Sequence, residues 1–244
     1  MLVFLSEVRV ASGAQLARRW WGARVPSDAR SRLARKTLAR LEASGLVDRL
    51  PQRIGGVRGG SRSIIYALGS TGRRLLKRDG ITTKRVGAPG ERYLAHHLAA
   101  TELRVRLFEA GLRGELDVIE IESEPRCWRT YTGPHGASRV VKPDLFVRIG
   151  AGALEDRYLV EIDRATESLP TITAKARVYL EHYRSGSEQQ RHGVYPRVIW
   201  SAPNDHRAAQ LHQALAVLPS PARHLFSIWP YDEIVGRMAA EARA

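Results

Sequence analysis

Cysteine is nearly absent from this sequence of 244 residues, since Cys127 is the single one. One cysteine cannot form an internal disulfide and cannot supply the paired thiolates of a Cys-x-x-Cys zinc site. Histidine offers no metal-binding pattern either, because neither HxxxH nor HExxH spacing occurs among the eight histidines. These absences exclude a disulfide-stapled scaffold, give no support to a zinc centre, and favour a reducing compartment.

Long hydrophobic runs are also missing. No stretch approaches the roughly 18 apolar residues that a membrane-spanning helix needs, and the apolar start at residues 1–5 lacks the basic lead of a signal peptide. The hydrophobic content of 43% is nevertheless ample for a packed core, and the length suits one large domain or two ordinary ones. We expect a cytoplasmic, globular protein without a membrane partner.

Acidic residues are scarce in the first third of the chain. Residues 1–85 contain 19 Lys and Arg but 5 Asp and Glu, whereas residues 86–244 contain 20 of each class. The whole net charge of +14 therefore belongs to the first third. A basic module of this size is typical of a nucleic-acid binder, because Lys and Arg neutralise backbone phosphates and release counterions. The alternative is a basic surface that serves solubility alone.

Two helices are predicted early in the basic third. Residues 11–21 have a Ser-Gly start and place Leu16 and Trp20 at helical spacing. A longer helix is predicted after Pro26, with Ser27 or Asp28 as its N-cap and Gly45 just beyond its C-terminus. A helical wheel divides the longer helix into two sides. The side predicted to pack holds Leu33, Thr37, Leu38 and Leu41, and the cationic side holds Arg32, Arg35, Lys36 and Arg40.

A glycine-rich turn, residues 55–60, separates two short apolar segments that are predicted to form a hairpin, and a further helix is predicted from Ser70. This order resembles the winged helix-turn-helix. The resemblance implies that residues 1–82 bind DNA, with the long helix in the major groove and the hairpin against the backbone or minor groove. The alternative is that the arginines only solvate a small helical domain. The predicted DNA-binding residues are Arg30, Arg32, Arg35, Lys36, Arg40, Arg53, Arg58 and Arg62.

Polar residues with glycine and proline at 83–91 predict a linker, and residues 92–244 are predicted to form a second domain. Its segments alternate in the order αβββαβαβα, which favours an α/β domain (α+β in the wider sense) with a mixed central sheet. The first helix of this domain carries Glu102 on its apolar stripe. That carboxylate is predicted either to pair with Arg106 at i+4 or to face a cleft.

Carboxylates interrupt two of the predicted buried strands. Glu161 and Asp163 lie within and just after the apolar run that begins at Tyr158. Asp144 follows Pro143 at the start of another strand. Buried strands do not normally accept acidic side chains without a compensating partner. The pattern therefore indicates a metal site, a structural ion pair or a catalytic cleft.

The pair Pro143-Asp144, followed by Glu161 on the next strand, resembles the PD-(D/E)xK nuclease fold. That resemblance implies one or two Mg²⁺ ions held by the aspartate and glutamate, often with a glutamate from the first helix, and a lysine two positions after the glutamate. Oxygen-ligated Mg²⁺ suits phosphodiester cleavage because it neutralises developing charge and activates water. The predicted metal ligands are Asp144, Glu161, Asp163 and Glu102, and the predicted catalytic residues are Asp144, Glu161, Asp163 and Lys175.

The sequence departs from the nuclease motif because Asp163 occupies the lysine position. Lys175, on the following helix, or Lys142 is predicted to replace that lysine. Two alternatives remain: a site that binds metal or DNA without cutting, and a structural cluster in which the carboxylates pair with nearby arginines. The arginines predicted for the structural cluster are Arg148, Arg164 and Arg177.

The whole motif order resembles the replication-relaxation proteins of bacterial plasmids and mobile elements. The resemblance rests on Gln15-Leu16 in a first helix, on Pro143-Asp144, and on the strand end EIDRATE, residues 161–167. It implies a role in the replication, relaxation or transfer of plasmid DNA, with duplex DNA and plasmid replication or transfer proteins as partners, and leaves catalysis open. The alternatives are a transcription or copy-number regulator whose second domain is inert or forms a homodimer, and a recruiter of a relaxase or initiator.

Overall fold

The computed structural model describes residues 1–22, 25–54, 63–152 and 154–243. The chain folds as two compact units, Met1–Arg113 and Gly114–Ala244. Each unit has its own sheet and its own hydrophobic core. The predicted mixed α/β class is confirmed.

The first unit combines helices with a three-stranded antiparallel sheet in the order β1-β3-β2. Its elements are α1 (Leu2–Val8), β1 (Val10–Ser12), α2 (Gly13–Trp21), α3 (Ser27–Ala43), β2 (Val47–Ile54), β3 (Ser63–Leu68), α4 (Ser70–Arg78) and α5 (Glu91–Leu112). Strands β2 and β3 form the predicted hairpin, whose turn lies outside the described residues.

The ends of α2 and α3 follow local sequence signals. Ser12 and Gln15 form a reciprocal capping box at the start of α2, where the sequence predicts that the helix begins. The side-chain cap predicted for α3 is wrong, because the helix begins at Ser27 after the extended backbone of Pro26 and has no side-chain cap hydrogen bond. Gly45 ends α3 with φ +63°, and the following residue donates its N–H to the Leu41 carbonyl.

The packed side of α3 differs by one position from the prediction. Ala34 and Leu38 are buried, and Leu41 lies at the edge of the core. Leu33, predicted to pack, is 41% exposed. Alanine can line a close helix contact as well as leucine, and α3 packs against α2 with Ala34 buried and Leu33 turned outward.

Helix α5 packs in the first unit, although the sequence places it in the second domain. Leu94 joins the core formed by β1, β2 and β3, and Val105 joins the core that contains α1, α2 and α3. The buried hydroxyl of Thr101 donates to the Val10 carbonyl at 2.8 Å. The division of the chain therefore follows Arg113, and the predicted linker at 83–91 connects α4 to α5 within one unit.

The second unit is built on a mixed five-stranded sheet in the order β10-β9-β8-β7-β4. Its elements are β4 (Asp117–Ser123), β5 (Arg129–Thr132), β6 (Ser138–Val141), β7 (Leu145–Ala151), β8 (Leu154–Ile162), α6 (Leu169–Arg184), α7 (Ser187–His192), β9 (Arg197–Ala202), α8 (Asp205–Ala216), α9 (Ser220–Arg223), β10 (Phe226–Pro230) and α10 (Ile234–Glu241). Strands β4, β7 and β8 pair antiparallel, whereas β8, β9 and β10 pair parallel.

Helices α6 and α8 lie together on one face of this sheet, where Tyr179 and Leu211 pack against Trp200. The predicted long strand at 140–149 is two strands, because β6 ends at Val141 and β7 begins at Leu145. The break contains Pro143, which has no N–H for a strand ladder. None of the helices in the described ranges has the length and apolar character needed to cross a membrane.

Candidate functional site

The cationic side of α3 is exposed. Arg32, Arg35, Lys36 and Arg40 are exposed, whereas Arg30 is partly buried. Arg53 lies in β2 beside Ile64 of β3, so its backbone belongs to the hairpin. Arg58 and Arg62 lie outside the described residues. The helix thus presents positive charge on the side opposite Ala34 and Leu38, as its sequence predicts.

A second candidate site lies in the second unit, where β8 runs between β7 and β9. Side chains alternate along β8, so Leu159, Glu161 and Asp163 point to the face that α6 and α8 cover. Glu161 is 2% exposed, and Asp144 and Asp163 are also buried. The fold therefore buries all three predicted carboxylates.

Asp144 is fixed at the point where the chain enters β7. Its Oδ2 accepts the Ile162 N–H at 2.7 Å, and its own N–H donates to the Val160 carbonyl at 3.0 Å. These two bonds extend the β7 to β8 pairing by one residue beyond Leu145. The proline before Asp144 is therefore placed at the strand end, and the carboxylate is held beside Glu161.

Glu161 receives two side chains from α6. The Tyr179 hydroxyl donates to Oε1 at 2.5 Å, and Lys175 Nζ donates to Oε2 at 3.2 Å. Lys175 and Tyr179 are four residues apart, so both project from the same side of the helix. Burial, and then repulsion from Asp144, raises the pKa of Glu161 from 4.5 to about 7 despite both donors.

Lys175 bridges Glu161 and Glu167, with 3.2 Å from its Nζ to each carboxylate. Burial disfavours the ammonium charge, but three carboxylates, that of Glu161 first, raise the pKa of Lys175 above its ordinary value. The lysine is therefore charged beside the two acidic residues. That Lys175 replaces the missing motif lysine stays a prediction.

Asp163 has a different partner and a different task. Arg207 of α8 donates to both carboxylate oxygens, at 2.9 Å and 2.8 Å, and is itself 5% exposed. The Asp163 carboxylate also accepts the Ala165 N–H at 2.6 Å, where the backbone has φ +56°. The backbone N–H of Asp163 donates to the Ser201 hydroxyl. Asp163 thus holds the turn after β8, and its predicted metal and catalytic roles have no support from this geometry.

Glu102 lies on α5 in the first unit. Its carboxylate accepts a hydrogen bond from Arg18 at 2.6 Å and another from the Gln15 amide at 3.2 Å. Arg18 also binds Glu109 on the same helix, one more contact of α2 with α5. Glu102 therefore pairs with Arg18 of α2. The sequence predicted an ion pair for this carboxylate, but with Arg106.

Two residues that contact the buried carboxylates, Tyr179 and Arg207, were not predicted as site residues from the sequence. Tyr179 carries a detectable signal, because it follows Lys175 by four residues on a helix. Arg207 carries none, since it lies 44 residues after Asp163 and only the packing of α8 brings the two together. Of the arginines predicted to pair with the carboxylates, Arg148 instead pairs with Glu120 and Glu155.

The groups around Glu161 are its own carboxylate, the Asp144 carboxylate, the Lys175 ammonium and the Tyr179 hydroxyl. Within the described residues, no group of three or more His, Cys, Asp or Glu side chains could hold a metal ion. Asp144 and Glu161 remain as an oxygen pair, and their mutual repulsion is what a bound cation would relieve. The arrangement can bind a hard cation through two ligands, or remain neutralised by Lys175.

Comparison with known proteins gives one family match. The family model described as replication-relaxation matches residues 2–198, which include both units in large part. No curated protein and no solved structure matches the chain.

Proposed function

Because this chain belongs to the replication-relaxation family, we propose that it binds the duplex DNA of a plasmid or mobile element and acts in the replication or relaxation of that DNA. The first unit is the DNA-binding part of this proposal. Within it, α3, the β2 to β3 hairpin and α4 follow one another in the order of a winged helix-turn-helix. In that arrangement α3 enters the major groove and the hairpin contacts the backbone.

The observation that supports this function best is the exposed cationic side of α3. Arg35, Lys36 and Arg40 are exposed, and the opposite side of the helix is buried against the core. Phosphate neutralisation by such side chains supplies most of the affinity of a DNA-binding surface. Arginine also forms the bidentate contact to guanine that specifies sequence.

Charge reversal on α3 tests the proposal. The full chain with Arg35→Glu, Lys36→Glu and Arg40→Glu should bind duplex DNA at least a hundredfold more weakly at fixed salt, because three phosphate contacts become repulsive. Fluorescence anisotropy with a labelled duplex measures the dissociation constant. The matched control reverses three exposed arginines of the second unit, Arg139, Arg184 and Arg191. An equal loss in both triple variants would show that net charge, and not α3, supplies the binding.

A second candidate function is Mg²⁺-dependent cleavage of a DNA strand in the second unit. The observation that favours it is the placement of Asp144, Glu161 and Lys175 around one buried point between the sheet and α6. Asp144 and Glu161 would hold the ion, which would neutralise charge on the phosphate and make its bound water more acidic. Lys175 would orient a water or a phosphate oxygen. Tyr179 would fix the orientation of the Glu161 carboxylate.

Cleavage assays on supercoiled, linear and single-stranded DNA test this second function. In Mg²⁺, Asp144→Ala should abolish cleavage, and Lys175→Ala should slow it while the cation still raises the melting temperature. Glu155→Ala, at an exposed carboxylate, is the control that should cut normally. If wild-type protein binds DNA but cuts none of these substrates in Mg²⁺ or Mn²⁺, the cleavage function is wrong. A regulator, or a recruiter of a relaxase or initiator, is then the better account.

A further inference from the structure

A polar groove lies between α4 and the segment that follows it. It encloses about 300 Å³ and is lined by Ser70, Arg73, Arg74, Lys77, Thr82 and Thr83. Three of these side chains are cationic, three carry hydroxyls, and none of the described residues that line the groove is acidic. None of them is among the residues predicted from sequence to contact DNA.

Two features show that the groove is suited to an anion. Arg73 is held in place because its Nη1 donates to the Leu68 carbonyl at 2.6 Å. Its guanidinium has further N–H groups that can donate to a ligand. The Thr83 hydroxyl is buried and has no hydrogen-bond partner among the described residues. A buried hydroxyl without a partner is costly, and a ligand oxygen would satisfy it.

The groove is also joined to α3. The N–H of Thr71, in the first turn of α4, donates to the carbonyl of Gly45, which ends α3, at 3.0 Å. The adjacent Gly69 N–H donates to the Leu46 carbonyl at 2.9 Å. These bonds fix the start of α4 against the end of α3. The start of α4, which contributes Ser70 to the groove, therefore lies beside the C-terminal end of α3.

We propose that this groove is a second phosphate-binding site and takes a backbone phosphate of the same DNA that α3 contacts. The Arg74 and Lys77 side chains supply charge, and the Thr83 hydroxyl supplies a directed donor. A phosphodiester fits because it has two anionic oxygens and accepts several hydrogen bonds at once. The DNA source of the phosphate rests on the proposed function, whereas the anion site itself does not.

The salt dependence of DNA binding tests the groove in the full chain. The double variant Arg74→Ala, Lys77→Ala should flatten the log–log slope by about 2, because two phosphate neutralisations are lost. The matched control is Arg78→Ala, Lys84→Ala, which removes the same charge from exposed positions outside the groove. The control should flatten the slope by less than half as much. Equal flattening in the two double variants would overturn the proposal.

Thr83→Val separates a built site from general electrostatics, because it removes a hydroxyl and no charge. The loss of one hydrogen bond should weaken DNA binding about fivefold. An unchanged affinity, in a protein with an unchanged melting temperature, would overturn the assignment of Thr83.

Inorganic phosphate provides a readout that needs no DNA. Phosphate should raise the melting temperature of the wild type by about 2 °C more than that of the Arg74→Ala, Lys77→Ala variant, since it binds only the intact groove. Two results together support both the DNA-binding role of α3 and the phosphate site in the groove. The α3 variant loses DNA binding, and phosphate still raises its melting temperature as in the wild type. Equal phosphate effects in the wild type and the Arg74→Ala, Lys77→Ala variant would refute the groove, and undiminished DNA binding in the α3 variant would refute only the role of α3.

Discussion

At the scale of single residues, the ion pair of Asp163 with Arg207 is almost completely buried, with side-chain exposures of 1% and 6%. Breaking such a pair leaves one buried charge without compensation, which costs about 3 to 5 kcal/mol. Arg207→Ala should therefore lower the free energy of unfolding by that amount, as measured by urea titration. Arg237→Ala, which removes an exposed i,i+4 pair with Glu233, should cost about 0.5 kcal/mol or less. Similar losses in the two variants would contradict a structural role for Asp163.

Glu161 gives a residue-scale prediction for pH dependence. Its pKa is raised from 4.5 to about 7 in the folded chain, so between these values the folded state keeps a proton that the unfolded state releases. Stability should therefore fall as pH rises from 4.5 to 7, by at most about 3 kcal/mol, and then stay level. Glu161→Gln removes this dependence, so its stability relative to wild type should increase over the same range. Urea titrations at several pH values measure the difference.

Glu233→Gln is the matched control for this pH effect, because it removes an exposed carboxylate. A constant difference between Glu161→Gln and wild type from pH 4.5 to 8 would mean that the Glu161 carboxylate is ionised throughout. The attraction of Lys175 would then outweigh burial and the repulsion from Asp144.

At the scale of elements, α5 decides where the first unit ends. Its residues Leu94 and Val105 complete both cores of this unit, and Arg18 of α2 binds Glu102 and Glu109 on it. A fragment of residues 1–113 should therefore unfold cooperatively on heating. A fragment of residues 1–85 lacks α5 and exposes both cores, so it should show no cooperative transition. Circular dichroism melting compares the two, and a cooperative transition in the shorter fragment would assign α5 a dispensable role.

At the scale of the whole molecule, the separation of charge predicts how DNA binding depends on salt. The net charge of +14 is confined to residues 1–85, and the rest of the chain is neutral. Four to six neutralised phosphates, shared between α3, the hairpin and the groove beside α4, give a log–log slope of roughly −4 to −5. The fragment 1–113 should reproduce the slope of the full chain. A much steeper slope for the full chain would reveal phosphate contacts from the second unit.

Features that depend on near neighbours in the chain are predictable from local sequence. Residues within one or two helical turns of each other determine the start of α2, the glycine at the end of α3 and the cationic side of α3. The hairpin follows from two apolar segments on either side of a glycine-rich turn. The placement of Asp144 beside Glu161 was also predictable, because it needs only two adjacent strands and the alternation of side chains. The charge separation needed no structure at all.

Contacts between distant elements depend on packing, and local sequence does not specify them. An amphipathic helix such as α5 fits any apolar surface, so its sequence does not specify which unit it joins. Asp163 and Glu161 look equivalent on their strand, yet Asp163 is held by Arg207, 44 residues later, while Glu161 faces Lys175 and Tyr179. The energy of a buried carboxylate depends on the charge that packing brings to it, and the sequence around that carboxylate does not contain this information.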